Sequence, residues 1–178
     1  MNKLFNTAFW ALVLLAVMAV LLKIIIDHLY KSQQSEKQIG HLVVSVRYNK
    51  AEAGKDRIFG YRVPYHIVWR TGSGDATEIR FSEDASLGGK KVRAGTYSLW
   101  SVPAEKEWVI ILNSETGQYG TRYDPLQDYL RVTVPSEKMP DRKESLGIKI
   151  TENRKGKPVL QIRWEYTLVE AEIREVRN

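Results

Sequence analysis

The segment VWRTGSGDATEIRF, Val68 to Phe81, contains the residues of this sequence whose types and spacing come closest to a binding site. A strand-like run leads into a glycine-rich turn, and loops held by a rigid scaffold often carry binding residues. A guanidinium in such a place can hold an anion, so Arg70 is the predicted ligand contact if the segment binds anything. The predicted binding residues of this loop are Arg70, Thr71, Asp75, Thr77 and Glu78.

Turn chemistry alone also explains this segment. Gly72 and Gly74 would supply the positive φ that tight turns need, and the side chain of Asp75 would cap the turn. Arg70 would pair with Glu78 across a hairpin. The sequence favours this structural interpretation over the binding one, because it accounts for every residue type present.

No group of residues has the spacing of a known catalytic or metal site. Asp75 and Glu78 are two neighbouring carboxylates, but acid–base hydrolysis needs a defined separation and pKa values pushed apart. The three histidines, His28, His41 and His66, lie in no nucleophile or zinc motif, and the chain has no cysteine. The sequence therefore predicts no catalytic residue, no metal and no cofactor, and favours a protein that is not an enzyme.

Tryptophans provide a second candidate surface. Trp69, Trp108 and Trp164 alternate in phase with aliphatic neighbours, which is typical of core residues. Trp100 alternates instead with Ser98, opposite the apolar face of its strand. We therefore expect Trp100 to be exposed, where its ring could stack on a sugar or contact a protein partner.

Alternation with a period of two, beginning after His41, predicts an all-β domain that positions these residues. Tyr65–Trp69 and Thr77–Phe81 are predicted to form one hairpin, and a second follows around Gly88-Gly89. The run EWVIILN, Glu107 to Asn113, is apolar on both faces and predicts a central strand.

The C-terminal third continues the same alternation. Leu130–Val134 and Leu146–Ile150 predict two strands separated by the loop SEKMPDRKES. The last strand changes phase, which predicts a bulge or corner near Leu168. Eight or nine short strands without intervening helices predict an antiparallel β-sandwich or jelly-roll-like domain.

The first thirty residues predict one transmembrane helix ahead of that domain. Ala8 to Ile26 is apolar except for Lys23, and its 19 residues would span about 28 Å as a helix. A cleavable signal is the alternative, but Ala16 and Ala19 lack the spacing of a cleavage site, which favours a retained anchor. The predicted anchor residues are Phe9, Trp10, Leu14, Leu15, Leu22 and Lys23.

These patterns divide the chain into an anchor at residues 1–30, a polar tether at 31–40 and a β-sandwich domain at 41–178. The tether prediction rests on KSQQSEKQIG, which is polar and has no apolar period. The formal net charge is +6, but charges of both signs alternate along the chain. Nucleic acid is therefore not a predicted partner.

Three motifs, VPYHIVWRTG, GGKKVRAGTYSL and EWVIILN, occur in this order between Val63 and Asn113. The block from Ile58 to Asn113 resembles the signature of a bacterial envelope family known only as a domain of unknown function, and the resemblance covers most of Val43–Ile173. Members of that family usually carry an export signal. The resemblance therefore implies a single-pass protein of the bacterial inner membrane with its β-domain in the periplasm, although it implies no activity or substrate.

An anchored domain without catalytic motifs predicts a non-catalytic accessory or interaction module of a bacterial envelope assembly, with other envelope or membrane proteins as partners. Tethering raises the effective concentration of such a module for its neighbours. The alternative is a glycan-binding or glycan-processing envelope domain. An open aromatic cleft at Trp100 would favour the glycan, and a covered face there would favour the assembly.

Overall fold

The computed structural model describes residues 2–29 and 32–176, which form a helical unit and a β unit divided between Lys31 and Ser32. The helical unit is one helix, α1, Asn2–Leu29. Its stretch Phe9–Ile26 has a mean hydropathy of 2.8 over 18 residues, and none of that stretch is buried. Such a helix has the length and composition of a single membrane span or of an N-terminal signal sequence.

The predicted anchor residues lie on this helix. Phe9 and Trp10 are 56% and 58% exposed, and their rings meet edge to face at 5.8 Å between centroids. Leu14, Leu15 and Leu22 are exposed to a similar degree, and Lys23 is also exposed. An apolar surface of this size, unpaired within the helical unit, suits a lipid environment better than water.

The β unit is an all-β domain built on one antiparallel sheet of nine strands, which confirms the predicted all-β class after one N-terminal helix. The sheet order is β1-β2-β3-β6-β7-β8-β9-β4-β5. The strands are β1 Ser32–Ile39, β2 Leu42–Asn49, β3 Thr77–Phe81, β4 Ala85–Leu87, β5 Lys90–Val92, β6 Gly95–Val102, β7 Glu107–Asn113, β8 Asp128–Glu152 and β9 Pro158–Glu175.

The two long strands, β8 and β9, join the β1-β2-β3-β6-β7 part of the sheet to the β4–β5 hairpin. β8 pairs with β7 through residues 128–135 and with β9 through residues 136–152. The other edge of the second half of β8 is covered, since Ala53 N donates to Glu144 O (2.7 Å) and Leu146 N donates to Ala51 O (2.9 Å). Ile150 N also donates to Ser35 Oγ of β1 (3.0 Å), which brings the first strand of the sheet against β8.

A cluster of aromatic rings lies in the main core. Phe59 contacts Trp69, Trp108 and Trp164, with ring centroids 5.8, 4.8 and 5.9 Å away. Trp69 also stacks on Trp164. The prediction that these three tryptophans are core residues is confirmed, since Trp108 and Trp164 are buried and Trp69 packs against them. Large rings bury the most apolar surface per residue, so this cluster is a main source of stability.

The predicted tether is wrong for most of its length, because Ser32–Ile39 forms β1. All eight residues pair with β2, and Gly40 turns the chain with a φ of 62°. Neither side of this strand is fully buried: one side is exposed and the other is half-buried. It therefore needs no apolar side chains at alternate positions. Backbone hydrogen bonds to β2 hold it, and a strand of this kind is invisible to a search for apolar alternation.

The predicted hairpin between Tyr65–Trp69 and Thr77–Phe81 is also wrong. β3 lies between β2 and β6, whereas Trp69 forms only an isolated bridge with Ser101 of β6. His66 and Thr71 adopt positive φ, 63° and 51°, which interrupts the extended backbone on both sides of Trp69. The second predicted hairpin is confirmed as β4 and β5 around Gly88-Gly89, and β7 is central, between β6 and β8.

One prediction in the C-terminal third is wrong and another is confirmed. The predicted loop SEKMPDRKES belongs to β8, where the register with β9 slips between Lys138 and Gly147. The bulge predicted near Leu168 is present, since the pairing of β9 is irregular between Thr167 and Glu165, whose φ is 46°. Both irregularities lie opposite each other in the β8–β9 pair, and together they shape the cleft described below.

Candidate ligand-binding cleft

The two threonines of the predicted loop site, Thr71 and Thr77, have structural roles. Thr71 and Thr77 are both fully buried. The Oγ1 of Thr71 lies 2.9 Å from Ser101 Oγ, and the Oγ1 of Thr77 donates to the carbonyl of Thr71 at 2.8 Å. Hydroxyls used in this way fix the turn and leave nothing to meet a ligand.

The charged residues of the same loop are not brought together. Glu78 accepts a hydrogen bond from Arg47 (2.7 Å) and another from the backbone N–H of Gly117 (3.1 Å). The expected pair between Arg70 and Glu78 is therefore replaced by Arg47 and Glu78. Arg70 is half-buried against Gly120, and its Nε has no hydrogen-bond partner among residues 2–29 and 32–176. Asp75 is exposed.

The prediction that Trp100 is exposed is wrong, since this residue is 2% exposed. Its Nε1 donates to Ser98 Oγ at 2.9 Å, and the ring of Tyr123 covers it with centroids 5.0 Å apart. Gln118 Nε2 also donates to Ser98 Oγ, at 3.1 Å. The segment between β7 and β8 folds over this face of the sheet, which strand alternation alone cannot reveal. Trp100 belongs to a second, small hydrophobic core with Ala76 and Ile111, so its ring cannot stack on a ligand.

Two tyrosines of the β unit, the buried Tyr97 and the half-buried Tyr123, have raised pKa values. The pKa of Tyr97 is raised to about 12, mainly by burial and to a smaller extent by the neighbouring Tyr129. Burial and a 2.7 Å hydrogen bond to the Asp128 carboxylate raise the pKa of Tyr123 to about 12. Both phenols therefore stay protonated in the folded chain at pH values where an ordinary tyrosine ionises.

Alkaline pH is expected to destabilise the protein through these two tyrosines. Above about pH 10 the unfolded chain loses the two protons while the folded chain keeps them, so the free energy of unfolding falls until about pH 12. The slope is up to about 1.4 kcal/mol per pH unit for each tyrosine. Denaturant titrations between pH 9 and 12 measure it, and Tyr97→Phe with Tyr123→Phe should flatten the profile. An identical profile in that double variant would contradict the assignment.

The β unit has an open cleft of about 690 Å³ beside the β8–β9 pair, which we call the Glu165 cleft. It lies within the size range of ligand-binding pockets. Its lining residues are Lys55, Asp56, Arg57, Phe59, Tyr65, Glu105, Ser136, Glu137, Lys138, Arg142, Glu165, Tyr166 and Thr167. None of them belongs to the loop predicted from the sequence.

Irregular pairing of β8 with β9 shapes this cleft. From Lys138 to Lys143, β8 advances five residues while β9 moves only from Thr167 to Glu165. The extra residues form a bulge that carries Arg142 towards Glu165. Bulges of this kind commonly re-aim side chains next to binding sites.

Glu165 is the most constrained residue of the cleft. It is only 8% exposed, and its φ of 46° is strained for a residue with a side chain. Its Oε2 accepts hydrogen bonds from the backbone N–H groups of Ile58 (2.8 Å) and Phe59 (3.4 Å). The Oε1 atom lies 3.8 Å from Arg142 Nη2.

Arg142 is held on the other side of the same carboxylate. Its Nη1 donates to Glu144, and its Nη2 donates to the carbonyl of Asp56 at 3.2 Å. The hydrogen bond to Glu144 raises the pKa of Arg142, so the guanidinium keeps its charge. A fixed cation therefore stands beside a fixed anion at one end of the cleft.

Aromatic residues form the remaining surfaces. Phe59 is buried beneath the cleft as part of the aromatic cluster, Tyr65 is half-buried, and Tyr166 is 42% exposed. The ring of Tyr65 packs over Gly60, where an added Cβ would come within 2.7 Å of Tyr65 Cε2. Gly60 also has a φ of 82°, so this wall of the cleft requires glycine twice over.

Glu165 is not among the residues predicted from the sequence, because regular alternation after Trp164 places it on the outer face of the strand. Burial of the charge depends on the positive φ and on two amides from a distant loop. One signal is present in the sequence, the phase change near Leu168 in the last strand, but it does not single out Glu165. Such changes mark bulges and are worth searching for acidic residues.

Comparison with curated proteins and with solved structures finds no match for this chain. A family model does match, over residues 31–173, and it therefore covers β1 and almost all of the β unit. The match is to the family described as "Protein of unknown function (DUF2911)", and the chain belongs to this family.

Proposed function

We propose that this protein is a membrane-anchored, non-catalytic accessory or interaction module of a bacterial envelope assembly, held in the inner membrane by α1 with its β unit in the periplasm. The observation that carries the proposal is the exposed apolar stretch Phe9–Ile26. The family domain follows almost at once, since only residues 30 and 31 separate α1 from β1. An anchor so close to the domain confines the domain to the membrane surface, where it meets other membrane proteins at high effective concentration.

The covered face at Trp100 supports the same role. An open aromatic cleft there would favour a glycan ligand, but Tyr123 and Gln118 close that face. The partners proposed are other envelope or membrane proteins. The β unit offers exposed apolar side chains for such contacts, including Ile67 and Leu126, which are 58% and 89% exposed.

Membrane fractionation tests the anchor. The full chain is expected to stay in the membrane pellet after an alkaline carbonate wash, and the mature polypeptide is expected to retain residues 9–26. The double substitution Leu14→Arg with Leu15→Arg should release it, since each arginine near the middle of a span costs about 2.5–3.5 kcal/mol. Leu14→Ile is the matched control and should remain in the membrane.

Protease digestion of spheroplasts tests the orientation, and the β unit is expected to be cleaved from outside. Purification from native membranes in mild detergent tests the assembly, and specific partner proteins should accompany the chain. A soluble mature polypeptide that begins near Lys31 would contradict the anchor. A solitary monomer from native membranes would contradict the assembly role.

The second candidate function is a glycan-binding or glycan-processing envelope domain. Trp100 cannot support it, because that ring is buried. The Glu165 cleft favours it, since the cleft is open and combines tyrosine rings with paired polar groups. This candidate does not exclude the first, because an envelope assembly can include a module that holds a polysaccharide.

A further inference from the structure

We propose that the Glu165 cleft binds an uncharged saccharide, with Glu165 Oε1 and the Arg142 guanidinium pairing with sugar hydroxyls and Tyr166 stacking on a sugar ring. The inference deepens the second candidate function and rests on it. It is independent of whether the chain also belongs to an envelope assembly.

The first support is the Oε1 atom of Glu165, which faces Arg142 as an ion pair but accepts no hydrogen bond from the described residues. Its Oε2 is occupied by the amides of Ile58 and Phe59, but Oε1 makes no hydrogen bond within the part of the chain that the structure describes. Arg142 Nη2 is 3.8 Å from Oε1, which is too far for a hydrogen bond. A buried carboxylate kept in strained backbone, with one oxygen left for the cleft, is arranged to accept a donor from a ligand.

The second support is the placing of donors and hydroxyls around this acceptor. The guanidinium of Arg142 stands next to Glu165, and Ser136 and Thr167 add half-buried hydroxyls from β8 and β9. A sugar carries adjacent hydroxyls, each of which donates and accepts. Neighbouring acceptor and donor groups therefore match a pair of vicinal hydroxyls.

The third support is the aromatic surface. Tyr166 is 42% exposed at the cleft, although it follows a buried residue in a strand that is mostly covered. Tyr65 lines the same cleft. An exposed ring offers a flat apolar face with a polar tip, and the C–H face of a pyranose packs well against such a ring.

The charge of the cleft selects against strongly charged ligands. Its lining carries equal numbers of basic and acidic side chains, which are Lys55, Arg57, Lys138 and Arg142 against Asp56, Glu105, Glu137 and Glu165. A polyanion such as a phosphorylated or uronic acid polymer would meet four carboxylates as well as four cations, so the cleft gives it no net attraction. A neutral ligand meets neither repulsion nor a net attraction, and its recognition depends on hydrogen bonds and stacking.

Calorimetry and thermal shift with defined oligosaccharides test the inference. The full chain should be studied in nanodiscs, because detergents with sugar headgroups would compete for the cleft. The probes are three neutral oligosaccharides, maltotriose, cellotriose and tri-N-acetylchitotriose, beside a hyaluronan oligosaccharide and the zwitterionic peptide Ala-Ala-Ala. At least one neutral probe is expected to bind and to raise the melting temperature, and the charged sugar and the peptide are not.

Substitutions then locate the site. Tyr166→Ala should weaken binding of the neutral probe about tenfold by removing the stacking ring. Glu165→Gln keeps an oxygen for the Ile58 amide but removes the charged acceptor, and should weaken binding at least tenfold. Tyr119→Ala is the matched control, because Tyr119 is 50% exposed and lies outside the cleft.

The inference is overturned if none of the neutral probes binds at millimolar concentration, if the peptide or the charged sugar binds in their place, or if Tyr166→Ala and Glu165→Gln both bind as the wild type does. Failure of the anchored assembly role is distinguishable from these outcomes. It is measured by fractionation and co-purification, and neither measurement uses the cleft.

Discussion

Replacing Trp108 by Ala is expected to lower the free energy of unfolding by about 3–5 kcal/mol, among the largest effects available to a single substitution in this protein. Trp108 is 1% exposed on the central strand β7 and touches Phe59 and Trp69 at 4.8 and 6.1 Å between ring centroids. The substitution removes the buried ring and leaves a cavity that β7, paired on both sides, cannot close. Typical domains are stable by only about 5–15 kcal/mol, so a loss of this size removes a large part of the free energy of unfolding.

Chemical denaturation of the full chain in mild detergent measures this loss. Leu126→Ala is a suitable control, because that side chain is 89% exposed and its removal should change stability by less than about 0.5 kcal/mol. Equal stabilities for the two variants would show that the aromatic cluster is not the packed core described here.

Replacing Glu165 by Ala is expected to cost about 2–4 kcal/mol, even though a strained, buried charge is removed. The amides of Ile58 and Phe59 would lose their acceptor, and both residues are almost fully buried. Alanine does not relieve the backbone either, because it has the same difficulty with a φ of 46°. Urea titration with the wild type in parallel gives the difference in unfolding free energy.

Glu165→Gln separates these contributions. Its side-chain oxygen can still accept from Ile58, so the loss of stability should be smaller than for Glu165→Ala by about 1 kcal/mol or more. If both variants proved as stable as the wild type, the carboxylate of Glu165 would not be the bridge to the loop of Ile58. The comparison also shows whether Glu165→Gln is folded well enough for the binding experiment.

The energetics of Glu165 bear on the function of the cleft. A folded protein retains a left-handed non-glycine residue and a buried carboxylate only where surrounding contacts over-determine them. Here two backbone amides, Arg142 and the bulge of β8 do so. Arg142 Nη2 lies 3.8 Å from Glu165 Oε1, but no hydrogen bond in the described part of the chain uses that atom, which is why we assign it to a ligand.

Local pattern determined much of this protein in advance. The helix α1 follows from an uninterrupted apolar run, and the all-β class follows from period-two alternation across β2, β6 and β7. The core positions of Trp108 and Trp164 were also predictable, because each lies in phase with aliphatic neighbours. These features depend on residues a few positions apart, and sequence reports such relations directly.

Only the tertiary structure decided the burial of Trp100, the pairing of β1 and the position of Glu165, because each depends on contacts between segments far apart in the sequence. Trp100 has the alternation of an exposed residue, yet Tyr123 covers it, and β1 has no apolar period, yet backbone pairing with β2 holds it. Glu165 belongs by period to the outer surface, but a positive φ and the amides of Ile58 and Phe59, more than a hundred residues earlier, turn it inward. The candidate site is made of such long-range contacts, so only the folded chain reveals it.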